Sequence, residues 1–306
     1  MNQALLNRLI RKTGVPEIVD ILAGRLSGSE LNSLMLEVYG RKAGKIKPAE
    51  LMAQYRQNRL VQPSAIDMIS LLESELESLR FFQERGFQPV ELSPLAPFGS
   101  CSVVATVDQD KVVSAIRNTE VVADATNLLA LHLAAGGQEM RLCTVHRHVR
   151  TQPFGKRGFL PHFKVGCVVT GGRDTGNYTF ELHSLMEHLE TLTDLLRKVY
   201  GVGQMRIVLK ARAGYDERNP LIEKVESFLR TRITGVGIER GDRPAENAYY
   251  QGIQFKLLIM EKGREWEIAD GGFVDWTQQL LGNKKERLLI SGFGLELLYK
   301  LQHGMI

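Results

Sequence analysis

Apolar residues in the first part of the chain recur at the spacing of one helix face. The clearest series runs through residues 31–39, and Ser29 stands where the N-cap of that helix is expected. Pro48 is suited to the first turn of a second, short helix. The pair Pro63-Ser64 is placed to begin a longer helix that Gly86 ends. The apolar stripe of this longer helix consists of Ile69, Leu72, Leu76 and Leu79.

After Gly86 the pattern changes to short segments rich in Val, Phe and Ile between turns marked by Gly and Pro, which is typical of strands. The predicted strands are residues 87–92, 102–107, 140–145, 163–170, 206–209 and 254–260. The predicted helices among them are residues 126–133, 180–196 and 220–232. Many strands with few helices predict an α+β domain around an antiparallel sheet. We therefore divide the chain into a helical region, residues 1–80, and an α+β domain, residues 81–306.

The composition is that of an ordinary globular protein, with 43% hydrophobic and 24% charged residues. A net charge of +4 permits a nucleotide or RNA partner without indicating one. Cys101, Cys143 and Cys167 form no Cys-x-x-Cys pair, so we expect a reducing compartment and neither a zinc site nor disulfides. Basic residues interrupt the apolar N-terminus and no apolar run reaches transmembrane length, so we expect a cytoplasmic protein with no membrane partner.

A basic segment at residues 146–157 combines a predicted strand with a loop rich in Gly, Lys and Arg. Strand alternation places Arg147 on one face, and His146, His148 and Arg150 on the other. An arginine projecting from a sheet is suited to a phosphate, because its planar fork donates two parallel hydrogen bonds. The alternative is a solvated basic hairpin. The histidines lack an acidic or cysteine partner at ligand spacing, so we expect no metal site.

Two segments nearer the C-terminus are also candidates for binding. Gly292 and Gly294 precede a predicted helix, where a ligand could approach the backbone and an anion could meet unpaired N–H groups. Such glycines also build ordinary strand-to-helix corners. The pair Tyr249-Tyr250 begins a predicted strand and either lines a pocket or packs in the core.

In their order along the chain, these segments resemble the catalytic core of histidyl-tRNA synthetase, a class II aminoacyl-tRNA synthetase, and its relative, the regulatory subunit of ATP phosphoribosyltransferase. The basic hairpin resembles the family motif FRxERPQxGR. In that resemblance Arg147 falls on the arginine that holds the α-phosphate of ATP, and Gln152 and Arg157 also have counterparts. Residues 123–126 resemble RP[ED]xT, whose acidic residue and threonine, here Asp124 and Thr126, contact the amino acid.

Three further segments extend the resemblance over residues 75–306. Residues 249–255 resemble DYYTGxxFE, residues 271–275 resemble GGRYD, and residues 294–298 resemble GLERL. The resemblance implies a class II synthetase fold, with no anticodon-binding domain within these residues. The nucleotide-binding candidates are Arg147, Arg150, Arg157 and Gly294. The amino-acid-binding candidates are Asp124, Thr126, Gln152, Tyr249 and Tyr250.

Several positions depart from the family pattern. The glutamate of the hairpin motif is Val149, and the arginine that grips the γ-phosphate of ATP is Leu297. The arginine before the paired tyrosines falls on Ala245, and GGRYD loses its polar pair at Phe273-Val274. Removing one preorganised cation from a reacting triphosphate costs roughly a hundredfold in rate. No residue is therefore assigned a catalytic role, and the departures predict that amino-acid activation is lost.

The resemblance and the departures together suggest a catalytically degenerate protein, a pseudoenzyme, in a regulatory role. It would bind an amino acid, a nucleotide such as ATP with Mg²⁺, or a partner enzyme, as the regulatory subunit of ATP phosphoribosyltransferase does. One alternative is an active ATP-dependent amino-acid ligase or transferase with a non-standard acceptor. Another is an RNA-binding module for tRNA. The resemblance also implies a homodimer, formed through the helix of residues 69–85 and the strand after it.

Overall fold

The computed structural model describes residues 3–136, 139–152, 158–215, 221–242 and 249–306. Its α-helices are α1 (Gln3–Thr13), α2 (Ile18–Asp20), α3 (Gly28–Ala43), α4 (Pro48–Gln57), α5 (Met68–Glu84), α6 (Ser100–Val103), α7 (Ala125–Gly136), α8 (Thr179–Lys198), α9 (Leu221–Arg230), α10 (Trp276–Leu281) and α11 (Leu295–Gln302). Its strands are β1 (Gln88–Pro89), β2 (Leu95–Pro97), β3 (Ser114–Ala115), β4 (Thr119–Val121), β5 (Met140–Val149), β6 (His162–Arg173), β7 (Met205–Ala211), β8 (Gly237–Arg240), β9 (Gln251–Glu261), β10 (Arg264–Val274) and β11 (Glu286–Phe293).

The main sheet has eight strands in the order β1-β5-β6-β11-β10-β9-β7-β8. The six central strands, β5-β6-β11-β10-β9-β7, pair antiparallel with one another, which confirms the central part of the predicted sheet. The edge strands β1 and β8 pair parallel with their neighbours, so the complete sheet is mixed. Helices flank this sheet, and the α+β class is confirmed.

The two faces of the sheet carry different cores. On the back face, α5, α8, α9 and α11 pack over a core that includes Phe82, Phe255 and Phe293. On the front face, α7 and α10 pack over β5, β6 and β11, around Leu129 and Trp276. The front face over β10, β9 and β7 carries polar side chains, and the candidate site lies where these two halves meet.

The helices of the N-terminal region are confirmed, but two of their starts were predicted at the wrong residue. Helix α3 is capped by Ser27, because Ser27 and Glu30 form a reciprocal capping box that Ser29 does not offer. Helix α5 begins after Asp67, whose carboxylate accepts the N–H of Ser70 at 2.8 Å, and not at Pro63. Among the described residues, none in α1 to α4 is buried.

The predicted strand at residues 102–107 is wrong, because this segment begins in helix α6 and continues without regular structure. The buried carboxylate of Glu120 accepts the backbone N–H groups of Gly99 at 2.9 Å and Cys101 at 3.2 Å. A carboxylate that satisfies unpaired N–H groups at a helix start stabilises the turn there. Glu120 itself lies in β4 of a small second sheet with the order β2-β4-β3.

Three of the four residues in the apolar stripe of α5 face away from the sheet, and the fourth, Leu79, packs partly buried against the core. Ile69, Leu72 and Leu76 are 64%, 42% and 48% exposed. The face that packs on the sheet consists instead of Leu71, Glu75, Ser78 and Phe82. A stripe of this kind usually marks the buried face of a helix, so α5 presents a second apolar face with no cover among the described residues. No helix in the described part of the chain has the length and apolar character that crossing a membrane requires.

Two adjacent glycines allow β10 to lie between its neighbours. A Cβ on Gly271 would come within 2.5 Å of the carbonyl oxygen of Ile290 in β11. A Cβ on Gly272 would come within 2.6 Å of the carbonyl oxygen of Ile253 in β9. Backbone atoms cannot move aside as a flexible side chain can, so both positions require glycine.

The variant Gly271→Ala tests this requirement. We expect it to lower the free energy of unfolding by roughly 1–3 kcal/mol, because the added methyl group overpacks the strand against backbone. The matched control is Gly203→Ala, where an added Cβ meets no atom within 4 Å. Urea denaturation of both variants measures the difference. Equal stability of Gly271→Ala and the wild type would contradict the close approach.

Candidate functional site

A cleft opens on the front face of the sheet, between the start of α7, the end of β5 and the strands β9 to β11. It comprises two adjoining cavities of about 190 and 420 Å³. Both cavities are lined by Asp124, Arg150, Tyr249, Tyr250 and Asp270. The cleft therefore brings together residues from segments that are far apart in the sequence.

Asp124 is the centre of a hydrogen-bond network at the start of α7. Its Oδ1 accepts the backbone N–H of Thr126 at 3.0 Å and the hydroxyl of Thr126 at 2.8 Å. Its Oδ2 accepts the hydroxyl of Tyr249 at 2.9 Å. Burial opposes ionisation of Asp124, but the electrostatic interactions with His148 and Arg150 and the bonds from Thr126 outweigh it and lower the pKa of the carboxyl. Asp124 is thus a fixed negative charge in the cleft.

His148 projects into the cleft from β5, and Arg150 projects into it from the position directly after β5. Arg150 Nη2 lies 4.0 Å from Asp124 Oδ2, and its Nε donates to the carbonyl of Ala123 at 3.1 Å. His148 is buried, and burial lowers its pKa to about 3, so the imidazole is neutral. Its Nε2 accepts the backbone N–H of Ala125 at 3.0 Å, which leaves the proton on Nδ1. His148 therefore fixes the position of α7 beside the cleft.

Asp270 supplies a second carboxylate from β10. Its Oδ2 accepts the hydroxyl of Tyr250 at 3.0 Å. Burial raises the pKa of Asp270 to about 6, because the carboxyl loses its hydration. Among the described residues, no cation bonds to this carboxyl to offset the loss. Burial and the two aspartates also raise the pKa values of Tyr249 and Tyr250, so both phenols stay neutral and act as donors.

Comparison with solved structures identifies the architecture around this cleft. The histidyl-tRNA synthetase of S. aureus superposes with a TM-score of 0.57 and 11% identity, over 76% of this chain and 65% of that one. The ATP phosphoribosyltransferase regulatory subunit/histidyl-tRNA synthetase of Bacillus halodurans superposes with a TM-score of 0.61 and 12% identity, over 78% and 81%. A histidine–tRNA ligase subunit of Alicyclobacillus acidocaldarius gives 0.59 and 13%, over 81% and 97%. The chain has the class II aminoacyl-tRNA synthetase fold.

These likenesses concern the fold alone, because the sequence identities are low. The sequence matches no protein-family model and no curated protein. The chain also spans less than two thirds of the S. aureus synthetase. What the class II fold does in this protein therefore has to be argued from the cleft.

The class II cleft contains most of the residues that the sequence nominated. Asp124, Thr126, Arg150, Tyr249, Tyr250 and Gly294 line the smaller cavity, and Gln152 lines the larger one. The carbonyl of Gln152 also accepts a hydrogen bond from Arg59, in the N-terminal region, at 3.1 Å. Arg157 and Ala245 lie outside the described residues.

Arg147 does not line the cleft. It lies on the back face of β5, where its Nη1 donates to Glu296 Oε2 at 3.2 Å and to His162 Nδ1 at 3.1 Å. The physical reason is strand alternation, which turns His148 and Arg150 to the front face and Arg147 to the back. Of these two nucleotide-binding candidates, Arg150 lines the cleft and Arg147 does not.

Leu297 lines the cleft in the first turn of α11, beside Gly294. The resemblance places at this position the arginine that grips the γ-phosphate of ATP. The backbone N–H of Gly294 donates to Ile268 in β10 at 2.8 Å, which fixes the start of the helix against the sheet. An apolar side chain therefore lines the cleft at the position that the resemblance gives to this arginine.

Several polar residues of the cleft were not nominated from the sequence, among them His148, Gln254 and Asp270. Asp270 directly precedes the two close-packed glycines, and Gln254 stands between apolar residues of a central strand. A polar side chain at such a strand position is a usable signal, because it faces either solvent or a polar cleft. Among the described residues there is no group of His, Cys, Asp and Glu that could hold a metal ion, and the three cysteines are free and buried.

The variant Asp270→Asn tests the raised pKa of Asp270. Because burial raises this pKa from 3.8 to about 6, the folded protein binds the proton more tightly than the unfolded chain does. The stabilisation from the neutral carboxyl is fully present below the pKa that Asp270 has in the unfolded chain. It is lost as the pH rises through the pKa of Asp270 in the folded protein. Relative to Asp270→Asn, the wild type should lose up to about 3 kcal/mol of unfolding free energy between about pH 4 and pH 7. Denaturation curves at both pH values measure this, and parallel profiles would argue against it.

Proposed function

We propose that this protein is a catalytically degenerate relative of the class II synthetases that binds an amino acid and acts as a regulatory component. The observation that carries the proposal is that Thr126 and Tyr249 both donate hydrogen bonds to Asp124, with Leu297 in the same cleft. The first three residues suit recognition of an amino acid. Leu297 offers nothing to a triphosphate.

Charge favours an ammonium group in this cleft. Asp124 is ionised, and Asp270 is half ionised near pH 6 and mostly ionised at higher pH. Charge-assisted hydrogen bonds from an ammonium group to a carboxylate are among the strong ones in proteins. Arg150 lies 4.0 Å from Asp124 and is suited to the carboxylate of the same amino acid. The ammonium and the carboxylate of one amino acid thus each have a partner of opposite charge.

The same charges disfavour the activation of ATP. In the described part of the cleft, Arg150 is the one lining arginine, and Lys111 is the other lining cation. Adenylate formation develops negative charge that preorganised cations normally stabilise, and each missing donor costs roughly 3–4 kcal/mol. Arg150 could still bind ATP with Mg²⁺ as a regulatory ligand. Titration with ATP shows whether the protein binds the nucleotide.

A regulatory role is consistent with the Bacillus halodurans neighbour, whose description includes an ATP phosphoribosyltransferase regulatory subunit. We propose by analogy that this chain also acts on a partner protein. The division into an N-terminal helical region and a synthetase-like domain belongs to the same proposal. We place its boundary before α5 and not at residue 80, because α5 packs against β5 and α11.

Titration calorimetry with L-histidine and with ATP, together with a pyrophosphate-exchange assay, tests the proposed function. We expect amino-acid binding, little or no exchange, and at least a tenfold loss of affinity in Asp124→Asn, because that variant removes the ammonium's fixed partner. The matched control is Asp20→Asn, an exposed carboxylate in the N-terminal region. Robust exchange would overturn the proposal in favour of an active ligase, and the absence of binding by any amino acid would also overturn it.

We further propose that the protein is a homodimer that buries the exposed apolar stripe of α5. The exposed part of the stripe consists of Ile69, Leu72 and Leu76, and Met68 beside it is 71% exposed. A continuous apolar helix face usually marks an interaction surface. In the class II resemblance this helix belongs to the segment through which two copies associate.

The double variant Leu72→Glu/Leu76→Glu tests the dimer. We expect it to shift the protein from dimer to monomer in light scattering, because it places four carboxylates of two copies in one apolar interface. The control is Leu281→Glu, a similarly exposed leucine in α10. A wild-type protein that stays monomeric at high concentration would contradict the dimer.

A further inference from the structure

Gln254 presents a hydrogen-bond donor to the cleft from β9. The residue is 5% exposed and lines the larger cavity. Arg212 Nη2 donates to Gln254 Oε1. A guanidinium carries donors only, so the amide oxygen must face Arg212 and the amide nitrogen must face the other way. Among the described residues, Gln254 Nε2 has no acceptor, and the side chain borders the cleft.

Arg212 is itself held only by an uncharged partner. Among the described residues it makes no ion pair, and its Nε is buried without an acceptor. Burial accordingly lowers the pKa of Arg212, although the group stays charged. Its visible role is to fix the orientation of the Gln254 amide, which makes it a positioning residue.

Asp270 presents the complementary acceptor. Its Oδ2 is taken by Tyr250, and its Oδ1 has no donor among the described residues. In the sheet, Gln254 lies opposite Gly272 and Asp270 lies opposite Lys256. Gln254 and Asp270 are therefore diagonal neighbours on one face of adjacent strands, with Cα atoms typically about 7–8 Å apart. One small planar group can reach both side chains.

We infer that Gln254 and Asp270 select the side chain of the bound amino acid, and that Arg212 positions Gln254 for this task; the inference rests on the proposed function. In the proposed function, Asp124 and Arg150 of the same cavity bind the ammonium and the carboxylate. Gln254 then donates to an acceptor of a neutral side chain, and Asp270 accepts from a donor of the same side chain. A carboxamide and a neutral imidazole both carry this pair of groups.

The same two residues reject other side chains. A carboxylate side chain meets the negative charge of Asp270, and an aliphatic side chain leaves both the donor and the acceptor buried without a partner. An ammonium side chain satisfies Asp270 but offers no acceptor to Gln254. A site built to hydrogen-bond a substrate group discriminates against analogues that lack the group.

Calorimetric titration of the wild type with L-glutamine, L-histidine, L-glutamate and L-norleucine at about pH 8 tests the inference. We expect L-glutamine or L-histidine to bind roughly 10- to 100-fold more tightly than both L-glutamate and L-norleucine. Equal affinities, or a preference for L-glutamate or L-norleucine, would overturn the selectivity and leave the proposed function standing. Failure of all four to bind would overturn both.

Three variants assign the selectivity to residues. In Gln254→Leu the ratio of L-glutamine or L-histidine affinity to L-norleucine affinity should fall towards one. Arg212→Leu should lower the same ratio, and Arg212→Lys should restore part of it, because an ammonium can still donate to Gln254 Oε1. The matched control is Gln83→Leu, an exposed glutamine of α5 that should keep the wild-type ratio. An unchanged ratio in Gln254→Leu would overturn the assignment, and the wild-type series still tests the selectivity if a variant fails to fold.

Discussion

The structure depends on the close approach of β9, β10 and β11 at Gly271-Gly272. A side chain at either position would meet a backbone carbonyl of a neighbouring strand, so this part of the sheet cannot be pushed apart without breaking its ladder. The same tight packing holds Asp270, directly before the glycines, at the floor of the cleft. A carboxyl held in this place cannot turn towards water, and this burial raises the pKa of Asp270.

Strand alternation decides which basic residue serves the cleft. The sequence placed Arg147 and Arg150 on opposite faces of β5, and the structure confirms this. Both arginines were candidates, and Arg150 is the one on the front face. Each step of one residue along a strand reverses the face, so the strand period indicates which of two nearby residues can reach a pocket.

Much of the scaffold could be predicted from the sequence, because helices and strands leave periodic traces. Site residues could be predicted where they lie within one short sequence segment, as Asp124 and Thr126 do at the start of a helix and Tyr249-Tyr250 does before a strand. Gln254 escaped prediction because its role depends on Arg212, more than forty residues away in sequence. The direction of the α5 stripe escaped as well, since periodicity shows that a helix has an apolar face but not which partner covers it.

The balance of charge in the cleft separates binding from catalysis. Asp124, Asp270 and Glu267 are the carboxylates that line the described part of the site, and Arg150 and Lys111 are its lining cations. In a partly desolvated cleft each charge acts more strongly than it would in water. A triphosphate there would meet repulsion from Asp124 and Asp270, and Leu297 offers it no compensating cation. An ammonium group meets attraction from Asp124 and Asp270, which is why we propose that the site holds an amino acid without activating it.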